Sequence, residues 1–195
     1  YGANIRHSKN PELISQFGLE PNEYFLIVGR LIPDNNSDIL LEGYLKTNSS
    51  KKLVIVGDGP ARVKLESDLP NAIFVGYQSG ADLARYVAAL DVFVHTGKHE
   101  TFCQAIQESL ASGTPFVGTK TGYFEEFSSH GKYGSVVGLG DVDGASDAII
   151  DWLSKNDKLD DFSKNAQQYI LKNHSIEKEV NGIIEAYKSL LNNKE

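Results

Sequence analysis

Val54-Ile55-Val56-Gly57-Asp58-Gly59-Pro60-Ala61-Arg62 runs from an apolar, β-branched stretch through a glycine turn into a segment with helical patterning, Ala61 to Leu69. Consecutive apolar positions predict a strand buried on both faces. The same unit recurs along the chain. Short runs rich in valine, isoleucine and phenylalanine stand at Tyr24 to Val28, Leu53 to Val56, Ile73 to Val75, Val92 to Val94, Phe116 to Val117 and Ser135 to Val137. Helix-patterned segments lie between and after them, at Ser37 to Thr47, Ala61 to Leu69, Ala81 to Ala89, Phe102 to Ser112 and Asp143 to Ser154. Strand and helix alternating in this way predict an α/β fold, a Rossmann-like doubly wound parallel sheet flanked by helices. Ligands of such sheets sit at the carboxyl ends of the strands.

The remaining composition bounds what such a domain does. A chain of 195 residues allows one generous domain or two small ones. Its formal net charge of -7, with no basic run, argues against a nucleic-acid partner. Cys103 is the only cysteine, which excludes an internal disulfide and a cysteine-rich metal site and suits a reducing, cytoplasmic setting. No apolar run approaches the roughly 20 residues of a membrane-spanning helix. The start, Tyr1-Gly2-Ala3-Asn4, is neither a signal peptide nor an initiator methionine, so the sequence reads as part of something longer. Three regions follow: a lead-in over residues 1–22 with Pro11 and Pro21, the sheet domain over 23–156, and two polar helical segments over 157–195. The last segment, Ile176 to Leu191, carries Val180, Ile183, Ile184, Tyr187 and Leu190 as one apolar stripe that needs a cover, from this domain or from a neighbour.

Four loops at strand ends could carry chemistry. In Val28 to Asn36, "VGRLIPDNN", Gly29 lets a ligand approach the backbone, and Arg30 suits a phosphate or is an ordinary surface arginine beside a turn. "VIVGDGPAR" nearly matches a dinucleotide fingerprint, but Arg62 stands where the third glycine belongs, so a tight turn without ligand is an equal reading. In "KHETFCQAIQE", Lys98 to Glu108, Glu100 precedes a helix expected to start near Phe102, whose first-turn amides could bind an anion. Glu108 would then lie roughly 9 Å further along that helix at 1.5 Å per residue. Two carboxylates so spaced either hold opposite ends of an extended polar ligand such as a nucleotide sugar, or are a cap and a solvated charge. In Ala111 to Phe127, Gly122 opens another short helix, either as a phosphate-facing amide or as a plain strand-to-helix turn.

In their order and spacing, "VGRL", "VIVGDGP", "FVGY", "LDVFVHT", the glutamate pair Glu100 and Glu108, "SLASGTPFVGTKTGYFEEF" and "YGSVVGLGD" resemble the carboxyl-terminal half of a retaining glycosyltransferase of the GT-B fold, glycosyltransferase family 4. The resemblance covers about Tyr24 to Leu153 and makes residues 1–22 a lead-in from the interdomain hinge. It implies a donor-binding domain for a nucleoside-diphosphate sugar linked to UDP, GDP or dTDP, with no metal and no further cofactor. Carried over residue by residue, it implies that Glu100 contacts the donor sugar's hydroxyls, Glu108 the ribose and Arg30 the diphosphate, with Glu100 and Arg30 as the catalytic pair. Gly29 and Gly122 and the backbone around Phe102, Cys103 and Gln104 complete the donor site. The implied acceptor is a carbohydrate or lipid-linked glycan held by an amino-terminal domain absent from this chain, with peripheral attachment at the inner face of a membrane. Without that domain the chain alone is expected to be inactive.

Two departures from the family pattern stand out. Asn35 occupies the place of a lysine that usually joins the arginine on the diphosphate, leaving Lys98 or Lys120 to assist. Cys103 occupies a place where glycine is common. The first departure supports an alternative, a non-catalytic glycosyltransferase-like module that partners an active enzyme; a sugar-nucleotide epimerase of the same general fold fits the motifs less well. Three further features are read as structural: Asp141-Val142-Asp143 as the start of a helix capped by Asp143, and His95 and His99 as histidines without partners at ligand spacing.

Overall fold

Leu53 and Ile55 turn to one face of the sheet and Val54 and Val56 to the other, and all four are buried. That alternation requires a covering layer on both sides. The computed structural model describes residues 15, 24–28, 31, 42, 44–47, 52–89, 91–95, 97–129, 131–155 and 159–192, with the side chains of 24–28 and of 159–160 outside the description. Gly29, Arg30 and Asn35, the lead-in apart from Ser15, and most of the helix expected over 37–47 therefore lie outside the described residues.

Among the described residues six strands form one parallel sheet: β1 (Tyr24–Val28), β2 (Lys52–Val56), β3 (Ile73–Gly76), β4 (Phe93–His95), β5 (Phe116–Thr119) and β6 (Gly134–Val137). Their order is β3-β2-β1-β4-β5-β6. Leu26 pairs with Val54 on one side and with Phe93 on the other, so β1 and β4 are the central neighbours at which the strand order reverses. In a doubly wound sheet a crevice opens there, beyond the carboxyl ends of the two strands. The predicted fold class is what the chain adopts. Each predicted strand is present, most of them longer by one or two residues at an end.

Among the described residues the crossover helices are α1 (Arg62–Asp68), α2 (Gly80–Ala88), α3 (Gln104–Ala111) and the short α4 (Phe124–Ser128), and after β6 come α5 (Val142–Ser154), α6 (Leu159–Asn173) and α7 (Ile176–Asn192). One face of the sheet packs Val54, Val56, Phe93 and Phe116 with Val87 of α2, Ile106 and Leu110 of α3, Phe124 and Phe127 of α4, and Ala166 and Ile170 of α6. The other packs Leu53, Ile55, Val94 and Val117 with Leu65 of α1 and with Ile149, Trp152 and Leu153 of α5. The Trp152 indole N–H donates to Ser135 Oγ at 3.0 Å, which satisfies its polar end within an otherwise apolar setting. α6 is held against the end of α3 by Ser163 Oγ donating to the Gly113 carbonyl at 2.7 Å. A Cβ at Gly113 would lie 2.6 Å from Ser163 Cβ, so the approach depends on glycine.

Two local expectations change. α5 is capped by Asp141, whose Oδ1 accepts from the Gly144 amide at 2.9 Å; Asp143 is already inside the first turn and pairs with Lys46 on the surface. Capping needs an acceptor that reaches back to the second or third helical amide, which the residue preceding the helix supplies. α3 starts at Gln104 and not near Phe102, because Cys103 adopts a positive φ of 31° and breaks the helical run before it. α7 keeps Ile176, Val180, Ile183, Ile184, Tyr187, Leu190 and Leu191 exposed. No described helix is long and apolar enough to cross a membrane.

Candidate functional site

β4 ends at His95, and the loop that follows is stitched to the loop after β5. Thr119 Oγ1 donates to the Gly97 carbonyl at 2.7 Å, and Thr121 Oγ1 donates to the Lys98 carbonyl at 3.1 Å. The Tyr123 amide donates to the Thr101 carbonyl at 3.1 Å, and the Glu100 amide reaches Thr121 Oγ1 at 3.4 Å. Residues 97–101 and 119–123 thus make one double-layered rim beyond the carboxyl ends of β4 and β5. Gly122 allows this closeness. Its φ is +51°, and a Cβ there would sit 2.5 Å from the carbonyl oxygens of both Glu100 and Thr101.

Within the rim, the Glu100 side chain is one-third exposed, and its Oε1 lies 3.2 Å from His95 Nε2. The Gly97 amide donates to His95 Nδ1 at 3.2 Å, which places the single proton of the neutral ring on Nε2, facing Glu100. Burial holds the His95 pKa below the ordinary histidine value, outweighing the opposing pull of Glu100. From the sequence His95 has no partner at ligand spacing; Glu100 escapes notice because it stands five positions on, across a loop, and not at a regular helical or strand spacing.

Cys103, at the start of α3, is buried, and burial pushes its thiol up to about 12, against the smaller downward pull of the Ile106 and Ala105 amides. His95, Glu100 and Cys103 offer one donor atom each within 4.8 Å of one another, the reach of a three-donor cation site. A cation there would have to displace both the proton on Nε2 and the proton on the thiol. Glu108 lies one turn inside α3, roughly 6 Å past Gln104 along the axis. It is half-buried, and that burial raises its pKa. Gln104 is exposed at the helix start. The Phe102 ring is exposed, against Tyr123 at 5.4 Å and Phe127 at 5.3 Å. His174, between α6 and α7, joins the same aromatic group at 5.9 Å from Phe102 and 4.9 Å from Phe127, a contact that no sequence pattern marks.

The structure therefore brings Glu100, Phe102, Cys103, Gln104 and Gly122 together at one rim, with Glu108 a turn away; Gly29 and Arg30 lie outside the described residues. β1 ends at Val28, one residue before Gly29, beside the β4 end that leads into this rim. The second glycine loop is a different matter. Gly59 closes on the Leu31 backbone, where a Cβ would fall 2.4 Å from the Leu31 carbonyl oxygen, and the Leu31 amide donates to Asp58 O at 3.1 Å. Arg62 is engaged with Glu66 at 2.8 Å and Asp58 at 3.3 Å. Of the two lysines considered as helpers, Lys120 pairs with Glu125 at 2.9 Å.

The family model described as glycosyl transferases group 1 matches residues 9–169. The chain belongs to this family. Among similar proteins of the family, a GDP-mannose-dependent alpha-mannosyltransferase from Mycobacterium tuberculosis is 48% identical over 95 residues, which are 49% of this chain and 25% of the mannosyltransferase. A protein of the same name from Corynebacterium glutamicum is 40% identical over 126 residues, 65% of this chain and 30% of that one. The matched region thus spans about a quarter to a third of these relatives' length. Among solved structures, Anabaena Alr3699/HepE in complex with UDP superposes with a TM-score of 0.83 at 22% identity, covering 97% of this chain and 56% of the other. The fold of this glycosyltransferase-family chain is accordingly that of a Rossmann-like half of a GT-B enzyme.

Proposed function

We propose that this chain is the donor-binding, carboxyl-terminal domain of a retaining glycosyltransferase that transfers a sugar from a nucleoside-diphosphate sugar to a glycan or lipid-linked glycan. The observation that carries the reading is the Glu100 carboxylate, held by His95 at the switch-point end of a doubly wound sheet, where such sheets bind nucleotides. Glu100 accepts hydrogen bonds from the sugar hydroxyls, and Glu108 from the ribose. Arg30 and backbone amides near Gln104 and Gly122 receive the diphosphate. Charge grows on that diphosphate as the bond to the sugar breaks, so donors fixed in advance stabilise the transition state more than the ground state. The acceptor is bound by an amino-terminal domain in a longer protein, and this chain alone holds donor without turning it over. GDP-mannose is the first donor to test, because relatives up to 50% identical are named for it; UDP- and dTDP-sugars follow.

Calorimetric titration of the folded chain with GDP, UDP, dTDP and ADP, then with the sugar forms of whichever binds, tests the proposal. One diphosphate binds selectively, and more weakly in Arg30→Ala and Glu108→Ala. A folded chain that binds none, alone or within the longer protein, refutes it. Asn35 favours a second reading, a binding module without catalysis, since a cation expected beside Arg30 is missing. The longer protein decides between them by whether it releases nucleoside diphosphate when acceptor is supplied.

A further inference from the structure

His95 is fixed from three sides. Its ring packs edge-on against Phe124 with centroids 5.2 Å apart, and Phe93 lies behind it at 6.4 Å. Gly97 lies so close that a Cβ there would fall 2.6 Å from Cε1 of the imidazole. The Gly97 amide points at Nδ1, and the Gly97 carbonyl is in turn held by Thr119. A ring wedged in this way cannot flip without losing the Gly97 bond, and a doubly protonated ring would set Nδ1–H against the Gly97 N–H. The remaining proton faces one oxygen of Glu100.

We propose that His95 is a positioning residue: its Nε2–H holds Oε1 of Glu100 so that the other carboxylate oxygen is presented to the sugar of a bound nucleoside-diphosphate sugar. The sugar-facing half of this inference rests on the donor-site reading above; the pairing itself does not. A carboxylate left free to rotate would lose more of the sugar's contribution to binding than of the diphosphate's, because Glu100 faces only the sugar. Hydrogen bonds to charged groups contribute enough for this to be an effect of about tenfold or more.

The test has two parts. Long-range nitrogen–proton NMR of the imidazole in the unliganded chain reads the tautomer directly; the Nε2–H form is expected, and in Glu100→Gln the His95 pKa falls further, because a stabilising charge is gone. The second part compares affinity for a sugar nucleotide with affinity for its bare diphosphate, using GDP-mannose against GDP and UDP-glucose against UDP. His95→Phe, which keeps a ring against Phe124 but has no donor, is expected to lower the sugar nucleotide's advantage about tenfold and to leave the bare diphosphate unchanged. His95→Gln, which can place an amide donor near the former Nε2, restores most of it. An Nδ1–H tautomer, or an unchanged sugar preference in His95→Phe, overturns the proposal. Equal losses on both ligands in His95→Phe, without rescue by His95→Gln, also overturn it in favour of a purely structural ring. If the tautomer is as expected and the wild-type chain binds diphosphates yet ignores the sugar, the sugar role assigned to Glu100 fails while the His95–Glu100 pair stands.

Discussion

Replacing Gly122 by alanine tests whether the rim depends on two backbones meeting where no side chain fits. The new Cβ would lie 2.5 Å from the carbonyl oxygens of Glu100 and Thr101 and 2.9 Å from the Glu100 carbonyl carbon, all of them backbone atoms with no rotamer to yield. An L-residue at the Gly122 φ of +51° costs about 1–2 kcal/mol. Overpacking of this kind costs about 1–3 kcal/mol. The loss of chain freedom in the unfolded state offsets about 0.4–1 kcal/mol. The sum is a destabilisation of about 1–5 kcal/mol, unless the loops part and the strain is exchanged for lost Thr121–Lys98 and Tyr123–Thr101 hydrogen bonds. Gly140→Ala is the matched control, since Gly140 has φ +83° with no atom within 4 Å of the added Cβ and therefore carries the conformational cost alone. Urea unfolding followed by fluorescence of Trp152, the one tryptophan, measures both. Gly122→Ala is expected to be less stable than Gly140→Ala by about the overpacking cost of 1–3 kcal/mol. Equal stabilities of the two variants would show that the 119–123 layer does not press on Glu100 and Thr101, and the geometry assigned to the rim would be wrong.

Cys103 is expected to resist iodoacetamide in the native chain at pH 8, because its buried thiol is pushed up to about 12, and to be labelled once urea unfolds it; rapid native labelling contradicts that placement. His95 and His174 both have pKa values held below the unfolded value of about 6.5, chiefly by burial, so the unfolded chain takes up protons first. Stability they contribute is complete above about pH 6.5 and is lost as pH falls through their folded pKa values. Urea midpoints should therefore drop on acidification, less steeply in His95→Phe and in His174→Phe; a wild-type midpoint flat from pH 7.5 to about 5 refutes this. Asp141→Ala should cost about 1 kcal/mol through the lost α5 cap, whereas Asp143→Ala, exposed beside Lys46, should leave the urea midpoint nearly unchanged; the reverse order would restore Asp143 as the cap.

What was legible in the sequence was whatever repeats with a period. The alternation of Leu53 and Ile55 against Val54 and Val56 follows from strand geometry, and the α3 stripe of Ile106 and Leu110 from helix geometry, so the strands, the crossovers among the described residues and the sheet class were readable. Glycine was read less well. Gly59 and Gly122 both stand in loops that invite a ligand, yet each is required by another stretch of its own backbone, Leu31 in one case and Glu100 with Thr101 in the other. A glycine needed for approach looks the same in sequence whichever molecule approaches. The helix start near Phe102 was misjudged for a related reason, since nothing in the letters shows that Cys103 takes a positive φ.

That strained cysteine bears on how the rim is built. A positive φ at a residue with a Cβ persists only where the surroundings over-determine it. Here the surroundings are visible: Cys103 is buried in the same apolar cluster as Ile106 and Phe124, while Glu100, three residues earlier, is tied to His95 and to Thr121. Chain that is fixed at Glu100 by polar contacts and at Ile106 by core packing has few residues in which to turn into α3, and the turn falls on Cys103. The carboxylate and the helix start are thus held by one short segment anchored at both ends. A carboxylate on a free loop would have to be ordered by its ligand, at the expense of affinity. In this chain the ordering is done by Gly97, His95, Thr121 and the core before any ligand arrives.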